Sequence, residues 1–190
     1  MTGRANLRTL SEKASVSPMF KKAFDHILRV EGGFVDNPND PGGRTNLGIT
    51  QANFSRWLRE HGLPATDVEE IQREEAYNIY RENYWLEGQC DKLPWPLSLY
   101  HFDGYVNLLP KDAGRVLQRA LKLHAPELKV DGVVGPITIR TANNLECDLR
   151  VRSEYLWERI RLYIRKVKAN KSKLEFLPTW MWRLDKLREV

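Results

Sequence analysis

Cysteine is scarce in this 190-residue chain, which holds only Cys90 and Cys147. Two thiols cannot make a disulfide framework. The four histidines (His26, His61, His101 and His124) fall at no metal-ligand spacing and receive no role. No organic cofactor or metal is expected. Long apolar runs are absent too, so no membrane-spanning helix is expected. The first residues, MTGRANLRTLSEKASVSPMF, are polar and lack the apolar core of a Sec signal peptide. The expectation is a protein made in a reducing cytoplasm, where two free thiols persist. A glycine-rich phosphate loop and a recognition-helix pattern are also missing, which places a nucleic-acid-binding protein last among the alternatives.

What is present is an ordinary globular composition: 42% hydrophobic residues, 29% charged residues and a net charge of +5. That is too apolar for a disordered chain, and the length suits one domain or two small lobes. The charge is uneven. Residues 150–190 hold twelve Lys and Arg against five acids, a net of +7, which leaves −2 for residues 1–149. Such a segment is either the solvated face of a helix or an attraction for a polyanion.

Apolar spacing reads almost wholly helical. Phe20, Ala23, Phe24, Ile27 and Leu28 predict a helix from Pro18 to Val30 with one buried face. Thr50 is the expected N-cap of a helix carrying Phe54, Trp57 and Leu58. Thr66 and Glu69 match a capping box ahead of Ile71. Helices are expected from Arg73 to Tyr84, after Pro96, after Asp112 and after Pro136. A long one carries Leu149, Leu156, Ile160, Tyr163, Ile164 and Val167 in register, and a last one starts at Pro178.

Residues 31–50, EGGFVDNPNDPGGRTNLGIT, break this pattern. Gly32 and Gly33 suit the end of the first helix. Phe34-Val35 and Asn46–Ile49 are expected to pair as a short hairpin with residues 36–44 as its tip. Glu31 then sits where an apolar helix meets an irregular loop. Partial burial at such a junction favours the protonated form of a carboxyl, the form from which a general acid donates. A helix-end salt bridge is the alternative reading of the same residue.

The string Glu31-Gly32-Gly33-Phe34, then Asn37–Gly43, then Thr45-Asn46-Leu47-Gly48-Ile49-Thr50, resembles glycoside hydrolase family 108. These are lysozyme-like N-acetylmuramidases, found as phage endolysins and secretion activator proteins. Tyr80–Trp85, Cys90–Pro94 and Phe102–Asn107 resemble further family landmarks in family order. Leu117–Leu121 and Val130–Pro136 look like the associated peptidoglycan-binding segment. Two departures stand out: Phe34 where the family more often has Tyr, and Leu108-Leu109-Pro110 where a Ser-Gly-Pro-like turn is commoner.

The resemblance implies an all-α, lysozyme-like fold with a small β-hairpin. The expected organisation is an N-terminal extension (1–17), a catalytic lobe (18–109) and a helical, peptidoglycan-binding C-terminal lobe (110–190). It implies Glu31 as general acid. Asp40, nine residues on, and Thr45, five further, are similar in order to the Glu, Asp and Thr of T4-type phage lysozymes. Asp40 is therefore a nucleophile or water-positioning group, or else a turn residue before Pro41; Thr45 is a second candidate for positioning water. Phe34, Thr50, Tyr84, Trp85, Asp103 and Asn107 are the candidate substrate-binding residues. Tyr84 and Trp85 have core packing as their alternative. Asp103 and Asn107 share a helix face and have a buried polar pair as theirs. Gln118 is assigned to helix packing.

The partner implied is bacterial peptidoglycan, with residues 150–173 as a candidate contact to an anionic outer membrane. Nucleic acid is not expected, and a monomer suffices. Action on the wall without a Sec signal calls for release through a holin or a dedicated secretion route. A non-catalytic wall-binding or secretion-accessory protein is the competing reading.

Overall fold

The computed structural model describes residues 17–36, 43–145 and 149–190. The expected all-helical architecture with a small hairpin is present: eight α-helices and one two-stranded antiparallel sheet among the described residues. The chain divides into two compact units after Tyr84.

In the first unit, helix α1 (Pro18–Glu31) buries Phe20, Ala23, Phe24 and Ile27, four of the five residues of the periodic face read from the sequence, and leaves Leu28 half-buried. Helix α2 (Gln51–Glu60) buries Phe54, Trp57 and Leu58. Its N-cap is Thr50, whose Oγ1 accepts from the Asn53 N–H at 3.3 Å. Helix α3 (Arg73–Tyr80) packs on α1 through rings: Tyr77 lies 4.7 Å from Phe20 and 5.1 Å from Phe24, and Tyr80 lies 5.8 Å from Phe24. Each such buried ring contributes ~1.5–3 kcal/mol by leaving water.

Several local expectations differ from the structure. In the long helix Leu149–Ala169, Leu149 and Ile164 are exposed, and the buried face carries Val151, Tyr155, Leu162 and Tyr163. The Thr66–Glu69 capping box does not form. Thr66 donates instead to the Pro64 carbonyl, and Asp67 caps the 3-10 turn Val68–Glu70 by accepting from the Glu69 N–H at 2.9 Å. The box belongs to Gln72 and Glu75 at the start of α3. The α-helix beginning at Arg73 gives way after Tyr80 to a wider π-helical turn, Arg81–Leu86. The hairpin is also tighter than expected. Strands β1 (Thr45–Asn46) and β2 (Ile49–Thr50) pair across a two-residue turn, Leu47-Gly48, with φ of 50° and 75°. Positive φ at both turn positions matches the right-handed twist of paired strands. Val35 joins only as a single bridge to Thr45, with N–H···O distances of 2.8 and 2.9 Å.

In the second unit, α4 (Leu97–Asn107) is surrounded by α5 (Pro110–Leu121), α7 (Leu149–Ala169) and a 3-10 turn, Cys90–Lys92. Helix α6 (Pro136–Asn144) packs on α5, and α8 (Leu177–Arg188) packs on α7. The core includes Trp85, Leu99, Phe102, Val116, Leu117, Tyr155 and Leu187. Cys90 is buried and reduced, and burial pushes its thiol well above the usual range. Cys147 lies outside the described residues. Among the described residues no helix is long and apolar enough to cross a membrane.

Candidate active site

Glu31 is the last residue of α1, and the buried apolar face of that helix fixes where it ends. The side chain is half-buried. The tip of the hairpin lies against it. A Cβ added at Gly48 would stand 2.8 Å from Glu31 Cγ and 2.9 Å from Glu31 Cβ, and closer still to the Tyr80 hydroxyl. The Tyr80 hydroxyl in turn donates to the Leu47 carbonyl at 3.0 Å. Glycine at 48 therefore meets two demands, a left-handed backbone and room for two neighbouring side chains. The stem of Glu31 therefore packs against the turn, which Tyr80 anchors from α3. Gly32 and Gly33, which follow Glu31, are exposed, and added Cβ atoms there would meet no described residue within 4 Å.

The base of the loop is fastened by Arg44, the sole Lys or Arg between Arg29 and Arg56. Its guanidinium pairs with Asp36 at 3.3 Å, with Glu69 at 3.0 Å and with Asp67. It also covers the Phe34 ring at 5.3 Å, an attractive cation–π placement. Phe34 remains 39% exposed and so keeps a ring surface for a ligand. The Thr45 hydroxyl donates to the Gly43 carbonyl at 3.2 Å, and the Thr50 hydroxyl is engaged in capping α2. Asp40 lies outside the described residues.

The structure thus gathers Glu31, Phe34, Thr45 and Thr50 in one unit and adds Gly48, Arg44 and Tyr80, which sequence reasoning missed. Arg44 carried a signal, being a lone cation among acids. The Gly48–Tyr80 contact joins residues far apart in the chain and had none. Tyr84 is half-buried and sits 5.4 Å from Tyr80.

The remaining candidates lie in the second unit. Trp85 is 1% exposed and packs edge-on to Phe102 at 5.3 Å, so it presents no face for stacking. Asp103 is wholly buried. One oxygen pairs with Arg159 of α7, and the other accepts from Arg183 Nε of α8 at 2.7 Å. Asn107 accepts from the Tyr163 hydroxyl at 2.9 Å and from Arg159 at 3.3 Å. The Asp103–Asn107 face therefore meets two arginines and a tyrosine in the protein interior. Among the described residues no group of three or more His, Cys, Asp or Glu could hold a metal ion.

Residues 24–108 match the family described as Glycosyl hydrolase 108, and residues 112–185 match the Predicted Peptidoglycan domain. The solved structure of SagA from Brucella abortus is 31% identical to this chain, covering 90% of it and 91% of SagA, with a TM-score of 0.72. The chain belongs to glycosyl hydrolase family 108. No curated protein matches it. As a family 108 protein it is a glycoside hydrolase whose second segment ties it to peptidoglycan. The glycosyl hydrolase 108 segment contains every candidate site residue, from Glu31 to Asn107, and runs through the division after Tyr84.

Proposed function

We propose that this family 108 hydrolase is an N-acetylmuramidase. It cleaves the β-1,4 bond between N-acetylmuramic acid and N-acetylglucosamine, with Glu31 as general acid. The observation that supports this reading is the packing at Glu31: a half-buried residue whose stem lies against Gly48 of the Tyr80-anchored turn, beside the exposed Gly32-Gly33. Cleaving a glycosidic bond requires a proton on the leaving oxygen and stabilisation of an oxocarbenium-like centre. A rigidly held acid supplies the proton in a fixed geometry. Asp40 serves as nucleophile, or Asp40 and Thr45 position a water on the opposite face of the sugar. Phe34, Thr50 and Tyr84 contribute the surface on which the glycan rests.

The biological setting proposed is lysis of a bacterial host by a phage or prophage enzyme that works as a monomer at the wall, released through a holin or a dedicated route. The exposed face of α7 supports a contact to an anionic outer membrane. Trp157 and Ile164 are 56% and 45% exposed there and share that helix with Arg161, Arg165 and Lys168.

The test is mass spectrometry of purified wall digested by wild type and by Glu31→Gln. New reducing ends should be muramic acid, and they should disappear in the variant. Glucosamine ends, cut peptides or an unimpaired variant would overturn the assignment. A protein that only binds wall would release no fragments in either form.

A further inference from the structure

The Val130–Pro136 strip and Gln118 lie outside the site described above, and the structure joins them. Gln118 is buried in α5. Its Oε1 accepts from the Gly132 N–H at 2.7 Å, and its Nε2 donates to Asp131 Oδ1 at 2.9 Å and to the Val133 carbonyl at 3.0 Å. The same Asp131 oxygen accepts from the Val133 N–H at 2.9 Å. The loop also touches α5 backbone to backbone, since a Cβ at Gly114 would stand 2.7 Å from the Gly132 carbonyl carbon. Two glycines and one glutamine thus hold a rigid loop.

Beside that loop is a cavity of about 400 Å³, within the size range of small-ligand sites. Its apolar lining is aliphatic: Leu128, Val133, Pro136 and Ile137. Val133 and Ile137 are 67% and 63% exposed, an apolar surface facing water at a concave place. Lys129, Glu127 and Asp131 set one positive and two negative charges around it. The Gln118 amide and the Val133 N–H hold the Asp131 carboxyl below its usual range, so this charge persists.

Peptidoglycan offers two chemistries, sugar rings and peptide stems. Sugar rings are commonly received on flat aromatic faces, and among the described residues no aromatic side chain lines this cavity. A peptide stem presents alanine methyls together with carboxylates and, in its diamino acid, an ammonium group. We infer that the cavity between Gln118 and Thr141 is a binding site for the peptide stem of peptidoglycan. Alanine methyls rest on Val133 and Ile137, a stem carboxylate pairs with Lys129, and the diamino acid's ammonium pairs with Asp131 or Glu127. This rests on the reading of the protein as a peptidoglycan hydrolase.

The test is a titration of the full-length protein, observed by amide NMR. The probe is a synthetic stem tetrapeptide, L-Ala-γ-D-Glu-diaminopimelate-D-Ala, and the comparison ligand is the N-acetylglucosamine–N-acetylmuramic acid disaccharide lacking peptide. The tetrapeptide should shift amides within residues 127–141 and the disaccharide should not. Ile137→Glu and Lys129→Glu should each weaken tetrapeptide binding at least about tenfold, or ~1.4 kcal/mol. Both side chains are exposed, and if one variant fails to fold the other still decides. Silence of residues 127–141 toward the peptide, equal shifts from the disaccharide alone, or wild-type affinity in the folded variants would each overturn the assignment. The outcome is separate from that of the wall digest. A muramidase whose cavity ignores the tetrapeptide removes the stem site alone; a cavity that binds it in a protein that cuts no sugar bond removes the muramidase alone.

Discussion

Substituting Gly48 by alanine places a methyl group where the hairpin tip meets the candidate acid. Two costs arise. The first is backbone: an L-residue at φ 75° is less stable than glycine by ~1–2 kcal/mol. The second is steric, because the new Cβ falls 2.8 Å from Glu31 Cγ and nearer to the Tyr80 hydroxyl. Overpacking of this kind costs ~1–3 kcal/mol. Gly62 separates the two. It has φ 64° and nothing within 4 Å of an added Cβ, so Gly62→Ala carries the backbone cost alone. In urea denaturation, Gly48→Ala should lose ~2–5 kcal/mol and Gly62→Ala ~1–2 kcal/mol. Wall clearing should fall sharply only in Gly48→Ala, because a misplacement of about 1 Å at the reacting group costs on the order of a hundredfold in rate. Adding Tyr80→Phe removes the nearest obstacle. It should therefore cost less in the Gly48→Ala background than in wild type, where it breaks the bond to Leu47. Equal losses at Gly48 and Gly62, with undiminished clearing, would refute the grip on Glu31.

Three further outcomes are expected. Burial lowers His101 from 6.5 to about 4, so the unfolded chain takes up a proton that the folded chain refuses. Stability is then complete above pH 6.5 and falls by about 3 kcal/mol as pH drops toward 4; His101→Leu should flatten that slope in urea titrations at several pH values. Arg159→Met leaves Asp103 with one buried counter-ion fewer and should lower stability by ~3–5 kcal/mol, read as a fall in the urea midpoint. Neutralising Arg161, Arg165, Lys166 and Lys168 together should weaken lysis of intact Gram-negative cells from outside; lysis at the wild-type rate would remove the proposed membrane contact.

The parts of the fold legible in the sequence are those governed by local periodicity and caps. Phe20, Ala23, Phe24 and Ile27 repeat on one helical face, and all four are buried. Thr50 caps α2 and Pro136 opens α6 because each acts on its own first turn. Competition between neighbouring caps was not legible: Asp67 takes the Glu69 N–H, and the pattern at Thr66 is left unused. Nor were distant pairings. Asp103 and Asn107 shared a helix face as read, yet what that face meets is set by Arg159, Tyr163 and Arg183, more than fifty positions further along. Around Glu31 the loop composition marked a break in the helical pattern, while the turn that packs on the side chain is anchored by Tyr80 in another helix, a pairing no local pattern carries.

The two arginines on Asp103 bear on how this gene can be cut. The glycosyl hydrolase 108 match ends at Leu108, and the basic helices that neutralise Asp103 begin some forty residues later. A fragment stopped at Leu108 would carry the Asp103 carboxylate on an oily helix with both arginines left on the other piece. Exchanging one half for an unrelated one would likewise take from Asp103 the two arginines that now pair with it.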